Sequence, residues 1–318
     1  MKHPLKQNFK YRAIGFFIVT IFALSIFSCR KENHYHNCIC SHNCNCNCNV
    51  NKNNYQDYFI AHAGGNIDGI NYTNCLEALD LSYSKGCKLF ELDLMVTSDG
   101  KYVAAHDWEH YKKITGYLGI IDDKPLTEEE FLSLKIHGKY TPMNMDRINL
   151  WFQNHRDAIL VTDKTNNPEK IYNDFRFRDR IIMELSLWSA IDKAIELGIK
   201  PMANEYLIFA KSRKKLPVDI EPVELKSDDE LEQIFKEKGI EYICMGRYCI
   251  SGRENFLRRL KNNGIKNYVY HLQEPINGQP AEEYVWNYEM NFCYGMYANN
   301  LDLLHSLLIN LCTTQSPP

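Results

Sequence analysis

Lys85-Gly86-Cys87-Lys88-Leu89-Phe90-Glu91-Leu92-Asp93 joins the end of a helix to the start of a strand, and this junction decides the fold class. Leu76, Leu79 and Tyr83 line one face of the helical stretch before it, at the spacing of an amphipathic helix. Glycine just past the last turn takes the left-handed conformation that closes a helix. The same junction returns at Leu197-Gly198-Ile199-Lys200-Pro201-Met202, Lys238-Gly239-Ile240-Glu241-Tyr242-Ile243 and Asn263-Gly264-Ile265-Lys266-Asn267-Tyr268. Helix, glycine, short strand, repeated, is the pattern of αβ units on a parallel sheet. Residues 55–318 form one domain by length and have the size of a (β/α)8 TIM barrel. A doubly wound open sheet is the alternative. It lacks its glycine-rich phosphate loop here, because Ala63-Gly64-Gly65 after the first apolar run is too short to be one. Asn74 is expected to cap the helix before Gly86, with Glu77 completing a capping box.

In a barrel, chemistry collects at the C-terminal strand ends. His62, Glu91, Asp93, His106 and Asp163 each sit at or next to the end of an apolar run. Glu91 and Asp93 are two apart, so on a strand they point to the same face. Two convergent carboxylates suit a hard divalent cation, Ca²⁺ or Mg²⁺. His62 and His106 can then serve as general base and general acid near neutral pH. The pattern is that of metal-assisted hydrolysis. Thr97-Ser98-Asp99-Gly100 is a turn between the Glu91 run and the His106 run. Later strand ends offer Glu184, Glu205, Arg247 and His271 as rim residues. Tyr284, Tyr288, Tyr294 and Tyr297 either line a sugar cleft or serve core or surface packing.

The N-terminal residues differ from this body. Lys2, Lys6, Lys10 and Arg12 precede an almost wholly apolar stretch, 13–27. Its length suits a secretory signal, whereas a spanning helix needs about 20 residues. Ser28-Cys29 resembles a bacterial lipoprotein cleavage box, with Cys29 as the lipidated residue. The alternative is an uncleaved signal anchor. The expected organisation is a signal segment over 1–29, a tether over 30–54 and the barrel over 55–318. The protein is then exported and held at the cell envelope by a lipid anchor. In the tether, Cys38, Cys40, Cys44, Cys46 and Cys48 alternate mainly with Asn and His. No apolar period recurs there, so the stretch buries no core. Its spacing is not that of a folded zinc site, though its Cys and His would bind soft metals. Cys75, Cys87, Cys244, Cys249, Cys293 and Cys312 lie in mostly apolar surroundings and are expected to pack as small hydrophobes. The formal net charge is −3. No basic block rises out of the body, which excludes nucleic acid as the expected partner.

The order of these residues resembles the glycerophosphodiester phosphodiesterases, a family of phospholipase-C-like TIM barrels. Ala61-His62-Ala63-Gly64, Thr73-Asn74-Cys75, Glu91-Leu92-Asp93, Thr97-Ser98-Asp99-Gly100 and His106-Asp107 match the family's pattern in order and spacing over 58–108. Val161-Thr162-Asp163-Lys164 continues it loosely. The resemblance implies His62 and His106 as the catalytic pair and Glu91, Asp93 and Asp163 as metal ligands. It implies Lys164 and Asp107 as substrate-binding residues. The expected substrate is a glycerophosphodiester, a lysophospholipid or a phosphate-linked glycan. Two departures stand out. The family's Arg after the first His is Ala63 here, which removes a phosphate-binding donor. The family carries Glu-x-Lys where this chain has Thr162-Asp163-Lys164. Alignment on the lysine and strand alternation point to Thr162 as the third ligand, and ligand chemistry points to Asp163. A catalytically weak surface module that binds phosphorylated glycan or lipid head groups is the alternative function.

Overall fold

The computed structural model describes residues 56–119, 125–208, 226–302 and 306. The expected signal segment, Cys29, the tether and Cys312 lie outside the described residues. Among the described residues nine strands follow in chain order: β1 Phe59–Ala61, β2 Leu89–Val96, β3 Tyr102–Ala104, β4 Ile159–Asp163, β5 Ile181–Leu185, β6 Lys200–Ala203, β7 Tyr242–Gly246, β8 Lys266–Tyr270 and β9 Gly295–Ala298. The helices are α1 Leu76–Ser84, α2 Trp108–Thr115, α3 Glu128–Ser133, α4 Met145–Asn154, α5 Pro168–Asp174, α6 Trp188–Glu196, α7 Glu205–Ile208, α8 Asp228–Lys238, α9 Glu254–Asn262 and α10 Ala281–Tyr284.

Every strand but β3 is parallel to its neighbours, in the order β1-β2-β4-β5-β6-β7-β8-β9. β1 pairs with both β2 and β9, so the sheet closes into an eight-stranded barrel. Alternation sorts the side chains. Ile60, Leu89, Val161, Ile182, Met202, Cys244, Tyr268 and Tyr297 pack together inside the barrel. Phe90, Leu92, Leu160, Met183 and Ile243 belong instead to the layer under the helices. α9 shows why such helices form: Phe256, Leu257 and Leu260 are buried on one stripe, and burying that stripe stabilises the helix more than propensity does. Gly239 caps α8 at φ 66°, and Gly86, Gly198 and Gly264 hold positive φ past α1, α6 and α9, as the repeated junction predicts. Cys75, Cys87, Cys244 and Cys293 are buried and free, and Cys249 is half-buried. Among the described residues no helix is long and apolar enough to cross a membrane.

β3 corrects the expectation that His106 ends a barrel strand. β2 runs on past the barrel, and its far half, Leu94 to Val96, pairs antiparallel with β3. The turn expected at Thr97–Gly100 closes this hairpin, with the Gly100 amide donating to the Thr97 carbonyl. Val103, Ala105, Tyr111, Phe131 and Ile136 form a second, smaller core here. His106 therefore reaches the barrel on a satellite lobe.

Candidate active site

Glu91 and Asp93 lie in the middle of β2, and their parallel partners on β4 are Val161 and Asp163. Partners in a parallel ladder face the same way, so Asp163 joins Glu91 and Asp93 on the inner face. Thr162 pairs with Leu92 and faces the helix layer, fully buried. The register thus overturns the alternation argument for Thr162. The three carboxylates each offer an oxygen within 4.8 Å of the others.

Their surroundings show how little of this charge is paid for by protein partners. The Glu91 Oε2 accepts from the Ala63 amide at 2.6 Å, while its Oε1 is buried with no hydrogen-bond partner among the described residues. Burial, then Asp93 and Asp163, push the Glu91 carboxyl well above its usual range. Burial and Asp163 raise Asp93 likewise, opposed by Lys164 and His106. Buried anions so arranged are stable when a cation joins them. An orphaned oxygen among three convergent carboxylates fits a hard divalent ion.

Asn74 is the clearest reassignment. It does not cap α1, whose cap position is Cys75, without a side-chain bond. Its Nδ2 donates to Asp93 Oδ2 at 2.8 Å, and its Oδ1 accepts from the Asp93 amide at 3.0 Å. Glu77 likewise leaves the cap, accepting from the amide and hydroxyl of Thr141. Both side chains find partners brought by the tertiary fold, and these outcompete the local cap.

His62 follows β1, and burial lowers its pKa to about 4, so its imidazole is neutral at pH 7. Its Nδ1 is buried without a hydrogen-bond partner among the described residues. His106 arrives from the hairpin and places Nδ1 2.6 Å from Asp107 Oδ2. Tyr72 stands between the two: its ring centroid is 4.6 Å from that of His62 and 5.3 Å from that of His106, edge-on to both. Its hydroxyl accepts from the Gln273 amide across the mouth.

One cavity of about 450 Å³ holds His62, Glu91, Asp93, His106, Asp163 and Lys164 together. Lys164 turns back into it at φ 67°, with Nζ 3.3 Å from Asp163 and 3.9 Å from Asp93. Burial opposes the Lys164 charge, and the carboxylates of Asp163, Asp93, Glu184 and Glu91 outweigh it, so the ammonium persists. Ala63, Tyr72, Asn74 and His271 also hold positive φ. Such conformations cost about 1–3 kcal/mol each and collect at functional sites.

Asp107, expected to bind substrate, is not among the residues that line the cavity. It caps α2 by accepting from the His110 amide at 2.7 Å and holds His106. Burial opposes its ionisation, yet those two bonds keep its carboxyl below the usual range. Of the rim candidates, Glu184, His271 and Tyr297 line the cavity. Glu205 is buried and accepts from the Gly246 amide, and Arg247 pairs with Glu289. Tyr294 packs against Tyr58 and Tyr268, and Tyr284 against Tyr288. Sequence reading missed Tyr72, Asn166, Ser186, Asn204, Tyr206 and Tyr270. Asn204 and Tyr270 had a signal, since each ends a strand run next to a residue that was singled out.

Comparison with known proteins places this arrangement. The model of the glycerophosphoryl diester phosphodiesterase family matches residues 62–216. By this match residues 62–216 carry a domain of that family. The protein is a phosphodiester hydrolase, as the family is. Family members generally use a divalent metal, and the acidic triad fits that habit. Solved structures share the fold. A glycerophosphodiester phosphodiesterase from Thermotoga maritima is 16% identical, with 79% of this chain and 97% of that chain covered at a TM-score of 0.58. One from Parabacteroides distasonis is 14% identical, covering 80% and 98% at 0.56. An Oleispira antarctica phosphodiesterase, solved in complex with the product sn-glycerol-3-phosphate, is 14% identical, covering 79% and 96% at 0.55.

Proposed function

We propose that this phosphodiesterase cleaves a glycerophosphodiester, or a related phosphate-linked lipid or glycan, by two-histidine acid–base catalysis beside a divalent ion, Ca²⁺ or Mg²⁺. The observation that carries it is the convergence of both imidazoles, three carboxylates and one ammonium on a single cavity. Glu91, Asp93 and Asp163 are the residues that would hold the ion, which would neutralise charge on the phosphate as the P–O bond breaks. Lys164 adds the positive charge that Ala63 lacks. The two histidines differ in a way that suggests their roles. His62 is neutral and accepts the proton of the attacking hydroxyl. His106 has a carboxylate on Nδ1 and presents its other nitrogen as the donor to the leaving alcohol, the arrangement that orients an acid–base histidine. The product named for the Oleispira antarctica neighbour supports glycerol-3-phosphate as the product here.

The test is turnover of a panel of glycerophosphodiesters by the purified protein with EDTA, Ca²⁺ or Mg²⁺. Activity restored by one ion and lost in Asp93→Asn is the expected result. Full activity in EDTA removes the ion. Absence of turnover with either ion, in folded protein that still binds the diesters, leaves a phosphate-binding surface module. We also propose export and lipid anchoring through Cys29, on the basic flank and apolar run before it. Wild type should then fractionate with membranes and Cys29→Ala should not mature; identical soluble behaviour of both rejects the anchor.

A further inference from the structure

The candidate catalytic and ion-holding residues of the cavity lie on or just after β1, β2 and β4 and the hairpin, but its other side, at the ends of β5 and β6, is built differently. Glu184, Ser186 and Asn204 line the cavity there and are 7%, 9% and 4% exposed. Asn204 spends its Oδ1 on the Tyr206 amide at 3.1 Å, and its Nδ2 meets no acceptor among the described residues. Asn166 holds Ser186 from both ends: its Nδ2 donates to the Ser186 Oγ at 2.7 Å, and its Oδ1 accepts from the Ser186 amide at 2.8 Å. The Ser186 hydroxyl proton is left without an acceptor among the described residues. Glu184 Oε2 accepts from Tyr297 at 3.0 Å. Both donors belong to residues that line the cavity and can take hydroxyl acceptors from a ligand there. Tyr206, Tyr270 and Leu187 line the same side and supply apolar and aromatic surface.

We propose that this side of the mouth is a subsite for a polyhydroxylated ring, a sugar or a cyclitol, carried by the diester as its second alcohol; this rests on the phosphodiesterase reading above. Ring hydroxyls accept from Asn204 and Ser186 and pair with the free oxygen of Glu184, while the C–H face of the ring packs on the aromatic surface. A quaternary ammonium head group fits the rings but accepts no hydrogen bond. It would leave both donors unpaired and would share the cavity with the Lys164 ammonium. An acyl chain would likewise leave both donors unpaired. Sites built to hydrogen-bond a hydroxyl reject analogues that lack it.

The experiment compares glycerophospho-myo-inositol, a glycerophosphoglucose diester and glycerophosphocholine, each by kcat/KM. Ring diesters should be preferred to the choline diester by about tenfold or more, as hydrogen-bonding subsites discriminate. The stronger of the two ring diesters separates cyclitol from sugar. Asn204→Ala, and the milder Ser186→Ala, should each lower the ring-to-choline ratio by about 3–10-fold, the worth of one hydrogen bond. An equal rate on ring and choline diesters, or a ratio that neither variant moves, overturns the subsite. Bis(p-nitrophenyl) phosphate needs no ring recognition, so its turnover without ring preference sinks this inference and spares the parent reading. If no diester is turned over, the parent reading fails. The same comparison read as binding by calorimetry then decides the subsite, and equal affinity for ring and choline diesters overturns it.

Discussion

Glu184→Gln tests the electrostatics of the mouth. Burial first, then the Asp163 carboxylate, lift the Glu184 pKa from its ordinary 4.5 to about 8. The folded protein therefore holds this proton more tightly than the unfolded chain does. The stability this contributes is fully present below the unfolded value and is lost as pH rises through the folded one. Between about pH 6.5 and 8.5 the loss comes to about 2 kcal/mol, at about 1.36 kcal/mol per pKa unit. For a barrel of this size that is a fall in Tm of about 4–8 °C. His62 has its pKa lowered to about 4, so its contribution is present above the unfolded value and lost only as pH falls. It is nearly level across this window. Asp93 titrates in both proteins, and Glu184 is the smallest of the causes that raise Glu91, so these two groups change the difference little. Glutamine does not titrate, so the chelated variant should lack the fall. The assay is thermal unfolding in EDTA, wild type against Glu184→Gln, across the window. Parallel curves would refute the claim that the mouth holds this carboxyl protonated.

Other substitutions separate the remaining roles. His62→Ala and His106→Ala should each lower kcat by about 10²–10⁴-fold, and a nitrophenyl leaving group should rescue only His106→Ala; rescue of His62→Ala instead reverses the roles. Asp107→Asn replaces the carboxylate that holds His106 Nδ1, so kcat should fall while KM changes little; an unchanged kcat frees Asp107 from the mechanism. Asn74→Ala deletes both bonds to Asp93 and should weaken divalent-ion binding by about 10–100-fold, read by calorimetry; unchanged affinity makes Asn74 structural only.

Much of this was legible in the chain because backbone rules are local. A helix closed by glycine and followed at once by an apolar run is a barrel unit wherever it occurs, and Gly86, Gly198, Gly239 and Gly264 marked four of them. Glu91 and Asp93 share a face by alternation alone. The misreadings arose where a distant partner outbid a local one. Asn74 had a helix start to cap and took Asp93 instead. His106 followed an apolar run like the others, yet that run pairs antiparallel with the overshoot of β2, which no periodicity reveals. Tyr72 had no signal at all, since its place between two histidines depends on a loop and a hairpin meeting in space.

The backbone at Lys164 has a consequence for how such sites are searched for. Asp163 ends β4 facing inward, so an ordinary extended residue at 164 would aim outward. Its φ of 67° swings the ammonium back beside Asp93, and acid and lysine reach the mouth as direct neighbours. A single torsion thus does the work of an inserted residue. Related chains that use this device would escape any pattern demanding a spacer between the two, and they would be found by asking which adjacent Asp-Lys pairs close a barrel strand with a left-handed turn.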